Sequence, residues 1–94
     1  MSIVRINQFQ AQPGKGKDLE ELLTTFLPSI KSSQGCESCQ LLRSNDNIER
    51  FVVLEVWDSL DSHKASVRDI PAGQIETLMK IVAGPPKGGY YQFT

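Results

Sequence analysis

Apolar positions along this chain change their spacing several times, and each change marks an element. Ser2 to Gln10 carries Ile3, Val4, Ile6 and Phe9 in a short, β-branched run that predicts a strand. Pro13-Gly14-Lys15-Gly16 ends it with turn chemistry. Leu19, Leu22, Leu23, Phe26, Leu27 and Ile30 then fall at i, i+3, i+4, i+7, i+8 and i+11, one stripe of a helix. Asp18, Glu20 and Glu21 crowd its first turns, where acids meet the positive end of the helix dipole. Pro28 lies inside the stripe and predicts a kink, or a helix that stops near Leu27.

Cys39 to Ser44 reads as a second strand, and Asn45-Asp46-Asn47 as the turn of a hairpin. Arg50 to Trp57 is the third strand and the most β-rich stretch. Ser59 is a plausible N-cap for a short helix through Val67. Pro71 suits the first position of a further helix reaching Ala83, with Ile75, Leu78, Met79 and Val82 on one face. Gly84 is a natural C′ residue and Pro85-Pro86 forbids continuation. Lys87-Gly88-Gly89 then reads as a turn into a last strand, Tyr90 to Thr94. The order β-α-β-β-α(α)-β predicts an α+β, ferredoxin-like domain over residues 1–94, with helices on one face of an antiparallel four-stranded sheet.

The third strand carries a further implication. Val52, Leu54 and Val56 form one apolar face; Phe51, Val53, Glu55 and Trp57 form the other, apolar but for Glu55. A strand apolar on both sides must be covered on both. The helices cover one, and this chain has no spare element for the other, so a homodimer is expected. The side bearing Phe51, Glu55 and Trp57 is assigned to the dimer contact, with Arg5 or Arg43 as partners for Glu55.

Bulk properties exclude more than they reveal. At 94 residues the chain holds one domain and buries only roughly 60–65% of its unfolded surface, a thin core for a monomer. A net charge of −1 and a pI near 5.7 leave no basic footprint for nucleic acid. An RNA-recognition module shares the element order, but Glu49 to Val56 lacks its glycine and second aromatic and carries acid. No apolar run reaches the ~18–20 residues that span a bilayer, and the first residues do not resemble a signal peptide, so the cytoplasm is the expected compartment. There is no glycine-rich phosphate loop and no cluster of metal ligands. Cys36 and Cys39 form a C-x-x-C leading into a strand, not a helix, and zinc would lack ligands; both are read as structural.

Three stretches resemble the antibiotic biosynthesis monooxygenase family, within the dimeric α+β barrel superfamily. They are the Asn7 strand with Pro13-Gly14-Lys15, the Gly35-Cys36 approach to strand two, and Phe51-Val52-Val53-Leu54-Glu55-Val56-Trp57-Asp58-Ser59 with His63 downstream. The resemblance covers nearly the whole chain and implies dimers whose sheets pack face to face. It implies a pocket between sheet and helices where quinols or polyketide-like aromatics react with O₂, often with no metal or flavin. It also implies site roles for Asn7, Trp57 and His63: an amide donor to a substrate oxygen, an aromatic wall with one indole N–H, and a base. Each has a plainer reading as a sheet-end, core or hydrogen-bonded core residue. Leu60, His63 and Val67 share a helical face, which turns the imidazole inward.

Haem-degrading relatives in that superfamily place an iron-ligating histidine on the later helix, and Ala72 to Ala83 has none. The resemblance therefore implies no haem-degrading role. Two functions stand open from sequence: a cofactor-independent monooxygenase of a quinol or related aromatic, and a non-catalytic, small-ligand-binding or regulatory dimer on the same scaffold.

Overall fold

Gly14, at φ 81°, makes the turn that Pro13 begins, a left-handed conformation that glycine adopts without steric cost. Its N–H donates to Glu49 Oε2 at 2.6 Å, tying the turn to the start of the third strand. The structure, a computed structural model describing residues 2–94, then runs β1 (Ile3–Gln10), α1 (Gly16–Ser32), β2 (Cys36–Arg43), β3 (Arg50–Trp57), α2 (Leu60–Arg68), α3 (Ala72–Ile81) and β4 (Lys87–Gln92). The sheet order is β2-β3-β1-β4, and every neighbouring pair is antiparallel. This is the ferredoxin-like arrangement expected from the sequence.

Helix α1 buries Leu19 and Leu23 completely, with Phe26, Leu27 and Ile30 packed beside them. It passes through Pro28 and ends at Ser32, beyond the expected stop near Leu27. Pro28 and Thr24 both lie on the exposed side. The carbonyl that proline leaves without a helical partner can therefore turn to water. On α2, Ser59 caps as expected, its Oγ accepting from Ser62 N–H at 3.2 Å. On α3, Pro71 is the cap residue, and the helix closes at Ile81. Val82 is buried and bridges to Ala11, which ends the helix at Ile81, two residues short of the expected Ala83.

The faces of β3 correct the sequence reading. Phe51, Val53, Glu55 and Trp57 are the buried set and lie under the helices, while Val52, Leu54 and Val56 are only half-buried on the open side. The dimer assignment of the Phe51–Trp57 side is thus reversed. Periodicity separates two faces but does not say which one the right-handed β1-α1-β2 crossover will cover. The open side also carries Ile6 opposite Leu54, Leu42 opposite Val52, and Tyr91 opposite Val4.

Two strand boundaries moved. Strand β2 begins at Cys36, three residues early, with a register shift between Cys36 and Ser38 that lets Cys36 and Cys39 both face the core. Strand β4 begins at Lys87, so Gly88 and Gly89 are strand and not turn. Gly88 lies opposite Asn7, and a Cβ there would collide with the Arg5 guanidinium and Asn7 Oδ1. The glycine makes room for two β1 side chains to lie across β4. Among the described residues no helix is long and apolar enough to cross a membrane.

Candidate active site

The covered face of the sheet is not uniformly apolar. In register across it stand Glu55 on β3, Arg5 on β1 and Tyr90 on β4, with Asn7 one step further between Val53 and Gly88. From above, α2 lowers His63 onto this row, 5% exposed. Leu60 and Val67 of the same expected stripe stay largely exposed, at 38% and 46%, so the imidazole enters the interior almost alone.

These side chains form one connected group. Trp57 Nε1–H donates to Glu55 Oε1 at 2.8 Å, and His63 Nε2 stands 3.8 Å from the same oxygen, beyond direct hydrogen-bonding range. His63 Nδ1 is 2.7 Å from the Tyr90 hydroxyl. A carboxylate on the Nε2 side favours the tautomer with Nε2–H, so Tyr90 O–H donates to Nδ1. The imidazole meets the Trp57 and Tyr90 rings edge-on, at centroid distances of 5.5 and 5.3 Å. Arg5 spreads over Tyr90, its guanidinium carbon 4.6 Å from the ring centre. Arg5 Nε is buried with no hydrogen-bond partner among the described residues.

Burial governs the protonation of the pair. It pushes the Glu55 carboxyl above its ordinary value of 4.5, with the Trp57 hydrogen bond and the charge of Arg5 pulling the other way. Burial and then Arg5 lower His63 to about 4, so the imidazole is neutral at physiological pH. The Cys39 thiol, in the core, is pushed up to about 12 by burial and the nearby Glu55, and Cys36 is raised for the same leading reason. Both cysteines are free, and neither environment favours a thiolate.

Above this row lies a cavity of about 290 Å³, the size of a small-ligand site. Arg5, Asn7, Glu55 and His63 give it a polar floor and one polar wall; Phe9, Leu23, Phe26, Ile30 and Leu78 make most of the rest apolar. Asn7 and His63, two of the three residues singled out from sequence, share this space. Trp57 does not: it is fully buried beneath and meets the cavity through its hydrogen bond to Glu55. Arg43, one expected partner of Glu55, pairs with Glu20 at 3.2 Å instead. Sequence reasoning gave Arg5 only the role of counter-ion and Tyr90 none. The signal for both was their strand parity, which needed the β1–β4 register to be read.

The chain belongs to the antibiotic biosynthesis monooxygenase family, whose model matches residues 2–69. The match ends at Asp69, before α3 and β4. A heme oxygenase (mycobilin-producing) from Mycobacterium tuberculosis is 31% identical over 65 residues, 69% of this chain and 62% of that protein. Among solved structures, Rv0793 from M. tuberculosis superposes with a TM-score of 0.87 at 19% identity, covering 100% of this chain and 96% of that one. SnoaB, a cofactor-independent oxygenase from Streptomyces nogalater, does so at 0.83 and 17%, covering 98% and 92%. At such identities these structures establish the shared fold alone.

The His63 environment sets a pH dependence of stability. Folded His63 takes up its proton only near pH 4, whereas an unfolded histidine does so near 6.5. Between these values the unfolded chain holds more protons, so stability rises with pH there and is lost as pH falls from 6.5 towards 4. Glu55, raised in the fold, acts in the opposite sense above 4.5. Urea midpoints measured from pH 7 to 4 should therefore fall less steeply for His63→Gln than for the parent chain. Parallel curves would show that His63 titrates normally.

Proposed function

We propose that this protein is a monooxygenase that oxidises a quinol or polyketide-like aromatic with O₂ and requires no organic cofactor. The observation that carries the reading is the apolar cavity over Arg5 and Asn7, with a neutral, buried His63 on its wall. The family match and the heme oxygenase relative, itself an oxygenase by name, support it.

The chemistry needs little from the protein, because a deprotonated hydroquinone or anthrone is its own reductant. Hydroquinone plus O₂ gives hydroxyquinone plus water: one oxygen atom replaces a ring hydrogen, the other leaves as water, and the substrate supplies all four electrons. What the site must provide is an anion and a dry place to hold it. His63 does not supply the anion unaided. Moving a phenolic proton from an ordinary value near 10 to an imidazole at about 4 costs about 8 kcal/mol. The larger contribution is assigned to Arg5, whose guanidinium lowers the phenol's own pKa, with the Asn7 amide as a second donor. With Nε2 protonated and Nδ1 accepting from Tyr90, the proton reaches His63 only through that hydroxyl: Tyr90 passes its own proton to Nδ1 as it takes up another, and, half-exposed, it links the pair to solvent.

Haem, the substrate in the relative's name, fits these residues poorly. Helix α3 has no histidine, and the chain's one imidazole is buried between Tyr90 and Glu55. No step is assigned to it. The non-catalytic reading keeps the cavity and loses the chemistry.

The working unit is a homodimer joined through the open face of the sheet, where Ile6, Val52, Leu54, Val56 and Tyr91 lack a covering layer within the chain. Light scattering should give about twice the 10.5 kDa chain mass, and Leu54→Asp should halve it. A parent chain that runs as a monomer at micromolar concentration removes the dimer.

Oxygen uptake with a panel of naphthohydroquinones and anthrones, in chelator-treated protein, tests the activity. Arg5→Met should lower kcat/KM by about 100-fold, the scale of losing one donor to a developing anion. Asn7→Ala should cost about tenfold. Turnover indifferent to both substitutions would remove these residues from the mechanism; no turnover across the panel would leave only ligand binding.

A further inference from the structure

Beside the cavity over Arg5 lies a second hollow of about 240 Å³, between α1 and the connection from α2 to α3. Phe26, Ile30, Ser66 and Ile70 line both spaces, so the two stand back to back across one partition. The side chains between them are not sealed into the core: Phe26, Ile30 and Ser66 are only partly buried, and Ile70 is exposed.

The polar groups of the outer space are Thr25, Ser29, Ser33, Ser66, Asp69 and Gln74. Their hydrogen bonds decide what they can offer a ligand. Thr25 Oγ1 donates to the Leu22 carbonyl at 2.6 Å, Ser33 Oγ to the Ser29 carbonyl at 2.9 Å, and Ser66 Oγ to the His63 carbonyl at 2.7 Å. A hydroxyl has one proton and two lone pairs. With the proton committed to a helix carbonyl, each of these three can only accept. Asp69 adds a carboxylate, and no basic side chain lines the space. Ser29 and Gln74 keep free donors, so the outer hollow offers both donors and acceptors, and its one charge is the Asp69 carboxylate; in the inner cavity Arg5 and Asn7 supply donors beside the buried Glu55.

We infer that the two spaces are lobes of one site for an elongated substrate. The inner lobe takes the aromatic ring with its ionisable oxygen. The outer lobe takes a substituent rich in hydrogen-bond donors, best an ammonium group. The identity of the ring rests on the quinol reading above; the polarity of the arm rests on the outer hollow alone.

Two short-armed naphthols of equal length, one ending in an ammonium and one in a carboxylate, test this by calorimetry. The ammonium compound should bind the parent protein more tightly. That preference should fall about threefold in Asp69→Asn, the scale of a partly exposed charge pair, and invert in Asp69→Lys. Equal affinity for the two arms, a preference unmoved by both substitutions, or no binding by either compound overturns the two-lobed site. Oxygen uptake with the matching naphthohydroquinones separates this result from the catalytic reading. Arm-selective binding without uptake keeps the lobes and removes the monooxygenase; uptake without arm selectivity does the reverse.

Discussion

A carboxylate among apolar side chains costs several kcal/mol unless its surroundings compensate it, and Glu55 sits in that position on the covered face of β3. The arrangement of the site follows from compensating it. Trp57, two residues along the same strand, turns its indole N–H onto Glu55, which fixes a fully buried aromatic at the base of the site. His63 comes down from α2 beside the same oxygen. Arg5, in register on β1, supplies the nearest positive charge. Arg5 and Asn7 then need space over β4, and Gly88 leaves it. Where polar groups hold the floor, the helices do not close down completely, and a cavity remains above them.

The two apolar faces of β3 divide the protein's tasks. One packs under the helices and lines the cavity; the other has no covering layer within the chain and is the face proposed for a second copy. The same covered face that supplies the core therefore also lines the cavity. A substitution of Glu55 would disturb Trp57 and His63 together, and its effects would not separate into stability and activity. Arg5 and Asn7, at the cavity's edge, are the cleaner probes.

How far the sequence speaks can be seen residue by residue. The stripe from Leu19 to Ile30, the run from Arg50 to Trp57 and the Ser59 cap each carry a local physical signal, and the fold follows from them. Pro28 left a kink and a stop both open, and the stop is not met, because the proline's cost depends on whether the abandoned carbonyl reaches water, which is a tertiary fact. Gly88 read as turn because its role is to make room for side chains from another strand, and Gly89 read with it. Asn7 and His63, singled out through family resemblance and residue chemistry, both line the cavity. Arg5 and Tyr90 carried no such signal, since their meeting depends on the β1–β4 register, and Trp57 lies beneath the cavity rather than on its wall.

Oxygen insertion in the cavity over Arg5, Asn7 and His63 is the proposal on which the assigned residue roles depend. The most direct measurement is isotope incorporation: protein, chelator and a hydroquinone substrate under isotopically labelled O₂, with product analysed by mass spectrometry. The account predicts one labelled oxygen atom in each product molecule and the other in water. Unlabelled quinone accompanied by hydrogen peroxide would contradict it, since the substrate would then have been oxidised without being oxygenated.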